Sequence, residues 1–201
     1  MNSHIIYCHP SKKSYTHDIF QQLIAHLDQM NLAYTVSDLY AMNFQTDMNE
    51  AEYEREGFAK TDLPLPDDVK REHQKIEQAD CLIFIYPVWW SDCPAKLKGW
   101  FDRVYAVGYA YGNANSKPSE KMKTIPHGLV ICTAGHPNAY LKEIGIAESM
   151  RTIMLDDRLG QRFLNKEMII LGGTLDKEAV RPMHTQQIHA VCQQLKKYSD
   201  Q

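Results

Sequence analysis

The segment Cys81-Leu82-Ile83-Phe84-Ile85-Tyr86 is apolar at every position, not at every second one. A strand with that pattern buries both of its faces, which happens when helices cover a parallel sheet on each side. Gly128 to Thr133 and Glu167 to Leu171 repeat the type, and the shorter runs Ser3–Cys8 and Ala33–Val36 add two more strands. Between them lie helical periodicities. Ile19, Phe20, Leu23, Ile24 and Leu27 recur at helix-face spacing over Tyr15–Met30. Asp47–Lys60 is charged and helix-prone until Leu63-Pro64-Leu65-Pro66 breaks it, and Asp67–Gln78 follows with Asp67 or Asp68 as cap. Helices are also expected from Pro94 to Val104, in part of Ala139–Leu159, and from about Thr185 to Tyr198. Gly112–Pro126 reads as a polar surface loop.

Strand and helix thus alternate five times, and a chain of 201 residues suits one α/β domain over 1–201. With right-handed crossovers and one reversal of winding after the first strand, the sheet is a doubly wound, five-stranded parallel one in the order 2-1-3-4-5, helices on both faces. Ligands of such sheets bind beyond the carboxyl ends of the strands near the reversal. That rule selects the segments after Cys8, after Tyr86 and after Thr133.

The first segment, His9 to Thr16, leads into a helix amino terminus, where outward N–H groups and the helix dipole favour an anion. Ser11, Ser14 and Thr16 offer hydroxyls and Lys12 and Lys13 positive potential, though the same residues also suit an ordinary cap on a solvated loop. The segment carries neither G-x-x-x-x-G-K nor G-x-G-x-x-G, so a P-loop and a Rossmann dinucleotide grip are both excluded. In the second, Pro87-Val88-Trp89-Trp90-Ser91-Asp92-Cys93-Pro94, two adjacent tryptophans in a turn offer flat faces to a planar heterocycle. A tryptophan plugging the sheet end is the structural alternative. In the third, Thr133-Ala134-Gly135-His136-Pro137-Asn138-Ala139-Tyr140, Gly135 marks a close approach of backbone to ligand or an unusual dihedral. Tyr140 brings a phenol to the same place, and His136 is a capping residue or a proton donor.

Other chemistries lack support. The nine histidines show no metal-ligand spacing, and G-x-S-x-G is absent. A formal net charge of −3, with both signs mixed along the chain, gives no nucleic-acid footprint and no polybasic membrane patch. There is no apolar run of about 18 residues, and the first residues lack a basic start and apolar stretch. Five cysteines, none spaced C-x-x-C, fit a reducing cytoplasm, with Cys8, Cys81 and Cys132 as small hydrophobes in strand-like runs.

These residues carry a resemblance. Tyr86-Pro87-Val88-Trp89-Trp90, then Pro94-Ala95-Lys96-Leu97-Lys98-Gly99-Trp100-Phe101-Asp102-Arg103-Val104 and Gly108-Tyr109-Ala110-Tyr111-Gly112, resemble the bacterial branch of the NAD(P)H:quinone oxidoreductase family, a flavodoxin-like group. The likeness extends from about Ile5 to Gly173. It implies a flavin enzyme that takes hydride from NAD(P)H and reduces quinones or similar small acceptors. It also implies FMN, with FAD as the alternative, and a homodimer for which Trp100, Phe101, Tyr105, Tyr109 and Tyr111 offer a surface. His9, Ser14, Tyr15 and Thr16 match the loop that holds the flavin phosphate and ribityl chain. Pro87, Val88, Trp89 and Trp90 match the segment lining the isoalloxazine ring. Thr133, Ala134, Gly135 and His136 stand where the family has Thr-Thr-Gly-Gly at the pyrimidine edge. Tyr140 matches the tyrosine near the flavin carbonyl. The chain departs from the animal enzymes at Ile146, where they have the histidine that completes a charge relay, and at Ala134-Gly135-His136. The same branch includes the ancillary subunit of a potassium-efflux transporter, so a flavin-binding regulatory subunit with a membrane partner is a second reading. A flavodoxin-type electron carrier is a third, disfavoured by the mild charge and the His9-Pro10 opening.

Overall fold

The computed structural model describes residues 1–112 and 121–200. Five parallel strands, β1 (Asn2–Tyr7), β2 (Ala33–Asp38), β3 (Cys81–Pro87), β4 (Ile125–Thr133) and β5 (Phe163–Leu171), form one sheet in the order β2-β1-β3-β4-β5, as expected. The register sets Tyr7 beside Ile85, Pro87 beside Thr133, and Thr133 beside Leu171. The carboxyl ends of four strands therefore come level with one another.

Because β3 is apolar throughout, its residues alternate between two buried layers. Ile83 and Ile85 join Ile5, Tyr7 and Ile131 under α1 (Tyr15–Gln29) and α7 (Lys177–Ser199). Leu82, Phe84 and Tyr86 join Ile6, Val130 and Cys132 on the opposite face. That face is covered by α3 (Asp67–Gln78), α4 (Ala95–Val104), α6 (Ile146–Arg151) and the helix after it, through Ile76, Trp100, Met150 and Met154. Each such side chain, fully buried, contributes on the order of 1.5–3 kcal/mol. All five cysteines are free and buried.

Several boundaries differ from the expectations. β4 begins at Ile125, inside the segment read as the Gly112–Pro126 loop, of which 113–120 lie outside the described residues. β5 begins at Phe163, four residues early, because Leu164 to Glu167 are exposed or half-buried and lack the apolar signature. α7 starts at Lys177, two turns before the expected Thr185, and runs through Pro182. Asp176 caps it through Ala179 N–H, and His184 in its third turn bonds the Tyr15 hydroxyl at 2.9 Å, so tertiary contacts hold turns that proline weakens. Pro94 sits just before α4, not in its first turn. The stretch 139–159 is helical almost throughout: α5 (Asn138–Glu143), α6, and an eight-residue π-helix, Thr152–Leu159, with Gly145 at φ +76° separating the first two. Helix α2 (Glu50–Gly57) rests on α3 and α4 through Arg103, which binds Glu52 at 2.6 Å and Asp68 at 2.6 Å.

Trp100, Phe101 and Tyr109 are buried within their own chain, at 0%, 5% and 6% exposure. They are therefore core residues, not the free surface that the sequence reading offered to a second copy. Among the described residues no helix is long and apolar enough to cross a membrane.

Candidate functional site

The three segments meet. Val88 N–H donates to Thr133 O at 2.8 Å, tying the loop after β3 to the end of β4. The Thr16 and Thr133 hydroxyls share a hydrogen bond of 2.7 Å, tying the start of α1 to the same strand. The imidazole of His9 stands edge-on to Trp89, with ring centroids 5.9 Å apart. Between the second and third loops opens a cavity of about 330 Å³, lined by Val88, Trp90, Ser91, Ala134, Gly135, His136, Tyr140, Leu141, Ile144 and Ile146. A cavity of similar size, about 320 Å³, lies at the opposite edge of the sheet beside His127, Lys166, Glu167 and Tyr198. Size does not distinguish them. Position does, since only the first lies beyond the carboxyl ends beside the winding reversal.

The first loop is built from its own hydroxyls. Ser14 caps α1 by accepting from His17 N–H at 3.1 Å and donates to Ser11 O at 2.9 Å. His9 Nδ1 lies 2.9 Å from Ser11 N and 3.1 Å from Ser11 O, which pins the ring to the loop, and burial lowers the His9 pKa toward the neutral form. Asp18 N–H is the first to bond back into the helix, to Ser14 O, which leaves the N–H groups of Tyr15 and Thr16 ahead of the intrahelical ladder. The side chain of Tyr15 does not join them. Its hydroxyl bonds His184 and its ring lies under Arg181, 5.5 Å away, so it belongs to the seam between α1 and α7.

The second loop is a tight turn. Trp89 N–H donates to Asp92 O at 2.9 Å and Asp92 N–H to Trp89 O at 3.2 Å. Trp90 and Ser91, between them, have φ of +50° and +65°. Trp90 is 100% exposed, so nothing in the chain's own packing calls for an indole there. The bland alternative of a tryptophan plugging the sheet end fails for Trp90. Beneath the turn, burial pushes the Cys8 and Cys93 thiols up to about 12, which keeps both protonated and unreactive.

In the third loop Gly135 has neither an unusual dihedral nor a crowded α-carbon. A Cβ there would meet only the Leu175 side chain, at 3.4 Å and beyond, and Leu175 is 84% exposed. The dihedral reason is thereby removed, and the open side of Gly135 leaves room for an approach from outside the chain. The loop is stitched to the segment after β5: Ala134 N–H donates to Leu171 O, Gly173 N–H to His136 O, and Thr174 to Ala134 O. Gly172 permits that seam, since a Cβ on it would lie 2.8 Å from both Asn138 N and His136 O. The rings of His136 and Tyr140 stand 4.9 Å apart at the cavity, while Ile146 lines its wall.

Sequence reasoning missed Gly172 and Arg158, the latter bound to Asp92 under the Trp turn. Gly172-Gly173 after an apolar strand was a visible signal, whereas nothing local marks Arg158.

A family described as having a flavodoxin-like fold matches residues 1–197. The chain belongs to that flavodoxin-like family. The structure of NAD(P)H:quinone oxidoreductase from Methanothermobacter marburgensis is 42% identical, superposes with a TM-score of 0.89, and is matched over 98% of this chain and 97% of that one. An uncharacterized NAD(P)H oxidoreductase of Haemophilus influenzae is 31% identical over 78% of this chain and 75% of its own. General stress protein 14 of Treponema denticola, solved in complex with FMN, shares the flavodoxin-like fold: 22% identity, TM-score 0.64, 97% and 99% of the two chains.

Proposed function

We propose that this chain is a flavin-dependent NAD(P)H oxidoreductase that binds FMN where the three loops meet and reduces a quinone or similar small acceptor. The observation that carries the reading is Gly135, a glycine without internal cause, facing an apolar cavity walled by a fully exposed tryptophan. The likeness to the Methanothermobacter enzyme over nearly the whole of both chains supports the same activity.

When bound, FMN supplies the hydride chemistry, accepting from NAD(P)H and giving to the acceptor. The residues do the rest. N–H groups of Tyr15 and Thr16, with Lys12 and Lys13 nearby, would hold the phosphate at the amino terminus of α1. The loop from Pro87 to Trp90 shapes the wall against which the planar ring and its reaction partners stack. Backbone N–H groups of Gly135 and His136 would stabilise negative charge on the bound ring, that of Ala134 being taken by Leu171 O. Tyr140 holds a proton at its hydroxyl with the His136 ring 4.9 Å away. The whole chain acts as one domain, as a homodimer, in the cytoplasm, where five buried thiols stay reduced.

An absorbance spectrum of the purified protein, then anaerobic titration with NADPH and with menadione, tests the reading. Flavin bands that bleach with NADPH and return with quinone are expected. A colourless protein that takes up neither added FMN nor FAD would overturn it. Tyr140→Phe should lower turnover while flavin affinity stays. Unchanged turnover and flavin reduction would remove Tyr140 from the mechanism.

A further inference from the structure

The turn Trp89–Asp92 pairs its end residues by two backbone hydrogen bonds and puts both central residues at positive φ. Such two-residue loops favour Asn-Gly or Gly-Gly, because an L side chain resists that backbone. Here the central residues are Trp90 and Ser91, the first bulky and wholly exposed. Strain of this kind persists only where the surroundings over-determine the conformation. The exposed indole packs on nothing that would do so.

The restraint is visible at Asp92. Its carboxylate takes two parallel bonds from Arg158, Nη1 to Oδ1 at 2.8 Å and Nη2 to Oδ2 at 3.0 Å, and a third from Cys93 N–H at 2.7 Å. Arg158 is itself anchored. Its side chain is 8% exposed, Nη1 also reaches Cys93 Sγ and Met154 Sδ, and the guanidinium lies over the Phe101 ring at 5.3 Å. It rises from the π-helix Thr152–Leu159, an uncommon element that recurs at functional sites. A planar fork fixes direction as well as distance, which a single charge contact does not.

We propose that Arg158 and Asp92 are positioning residues. Their fork, buried at Arg158 and half-exposed at Asp92, locks the Trp89–Trp90 turn in its strained shape and so presents the tryptophan wall of the cavity. The proposal rests on the flavin-site reading for its functional consequence, but the lock itself is a property of the chain without ligand.

The test uses Asp92→Asn, Arg158→Lys, Arg158→Met and the double variant D92N/R158M. Three quantities are measured on each: the melting temperature, the rate of chymotrypsin cleavage at Trp89–Trp90 without ligand, and FMN affinity by quenching of flavin fluorescence. D92N leaves the buried Arg158 without its carboxylate and lowers the melting temperature most, R158M leaves a carboxylate that water reaches and lowers it less, and the double variant regains most of what D92N loses. If the pair positions the turn, the double variant still cleaves faster than wild type and binds FMN about ten- to a hundredfold more weakly, with Arg158→Lys intermediate. A double variant that regains melting temperature, wild-type cleavage and wild-type FMN affinity together would show that the pair serves stability alone and overturn the proposal. Should that variant not fold, Arg158→Lys decides: wild-type cleavage and affinity there overturn the lock equally. Wild-type protein that binds no FMN would remove the flavin reading, while the cleavage rates still judge the lock.

Discussion

Two glycines in the site carry opposite meanings, and single substitutions separate them. At Gly135 a methyl group meets only an exposed, flexible leucine side chain at ordinary contact distance. Gly135→Ala should therefore leave stability within about 0.5 kcal/mol of wild type while weakening FMN binding. At Gly172 the same methyl group runs into backbone of the third loop at 2.8 Å, so Gly172→Ala should destabilise by about 1–3 kcal/mol, with flavin binding falling as a consequence. Chemical denaturation beside a flavin titration distinguishes them. A Gly135→Ala protein as destabilised as Gly172→Ala would mean that Gly135 serves packing. What was legible at this scale followed from residue chemistry. A Trp-Trp turn has no packing rationale, and the structure leaves Trp90 bare. The hydroxyls of Ser14 and Tyr15 could not be placed in the same way. A serine before a helix can cap it or meet a ligand, and here it caps; a tyrosine in the first turn can face either way, and here it faces His184.

At the scale of elements, α3, α4 and the first two strands are joined beneath the sheet by one buried carboxylate. Glu72 accepts from Ser37 and Trp100 at 2.9 Å and from Lys75 at 2.6 Å, with His4 Nε2 at 3.7 Å. Burial alone would raise its pKa, but the bonds from these donors outweigh burial and hold it at about 2, below the ordinary 4.5. A depressed carboxylate stabilises the fold fully above its unfolded pKa and loses that contribution as the pH falls from about 4.5 through 2. The contribution is on the order of 3 kcal/mol. The melting temperature should hold from pH 7 to 5 and fall steeply below, and Glu72→Gln should lower it at pH 7 and make the acid fall shallower. An equal acid slope in wild type and Glu72→Gln would place the titration elsewhere. The strands that define the fold were legible because doubly buried strands announce themselves by unbroken apolar runs. The start of β5, with its exposed Leu164, and the first two turns of α7 were not. Both are settled by neighbours far along the chain, and the π-helix has no periodicity of its own to read.

Over the whole molecule, the parallel sheet brings four carboxyl ends level, and hydrogen bonds between loops far apart in sequence build one cavity there. A ligand that bridges three loops binds only the folded chain, so it must raise stability by mass action, by about 2.7 kcal/mol at a hundred times its dissociation constant. For a chain of this length that is a rise of about 5–10 °C in melting temperature. The comparison of FMN with riboflavin then isolates one loop. Both carry the ring that the second and third loops would line, and only FMN carries the phosphate that the first loop would hold. FMN should therefore stabilise more than riboflavin, with the difference shrinking in high salt because Lys12 and Lys13 are exposed and screened. FAD adds an adenylate group, and a larger shift with it than with FMN would establish contacts beyond these loops. Equal shifts with riboflavin and FMN would mean that the His9–Thr16 segment is a capped helix and nothing more.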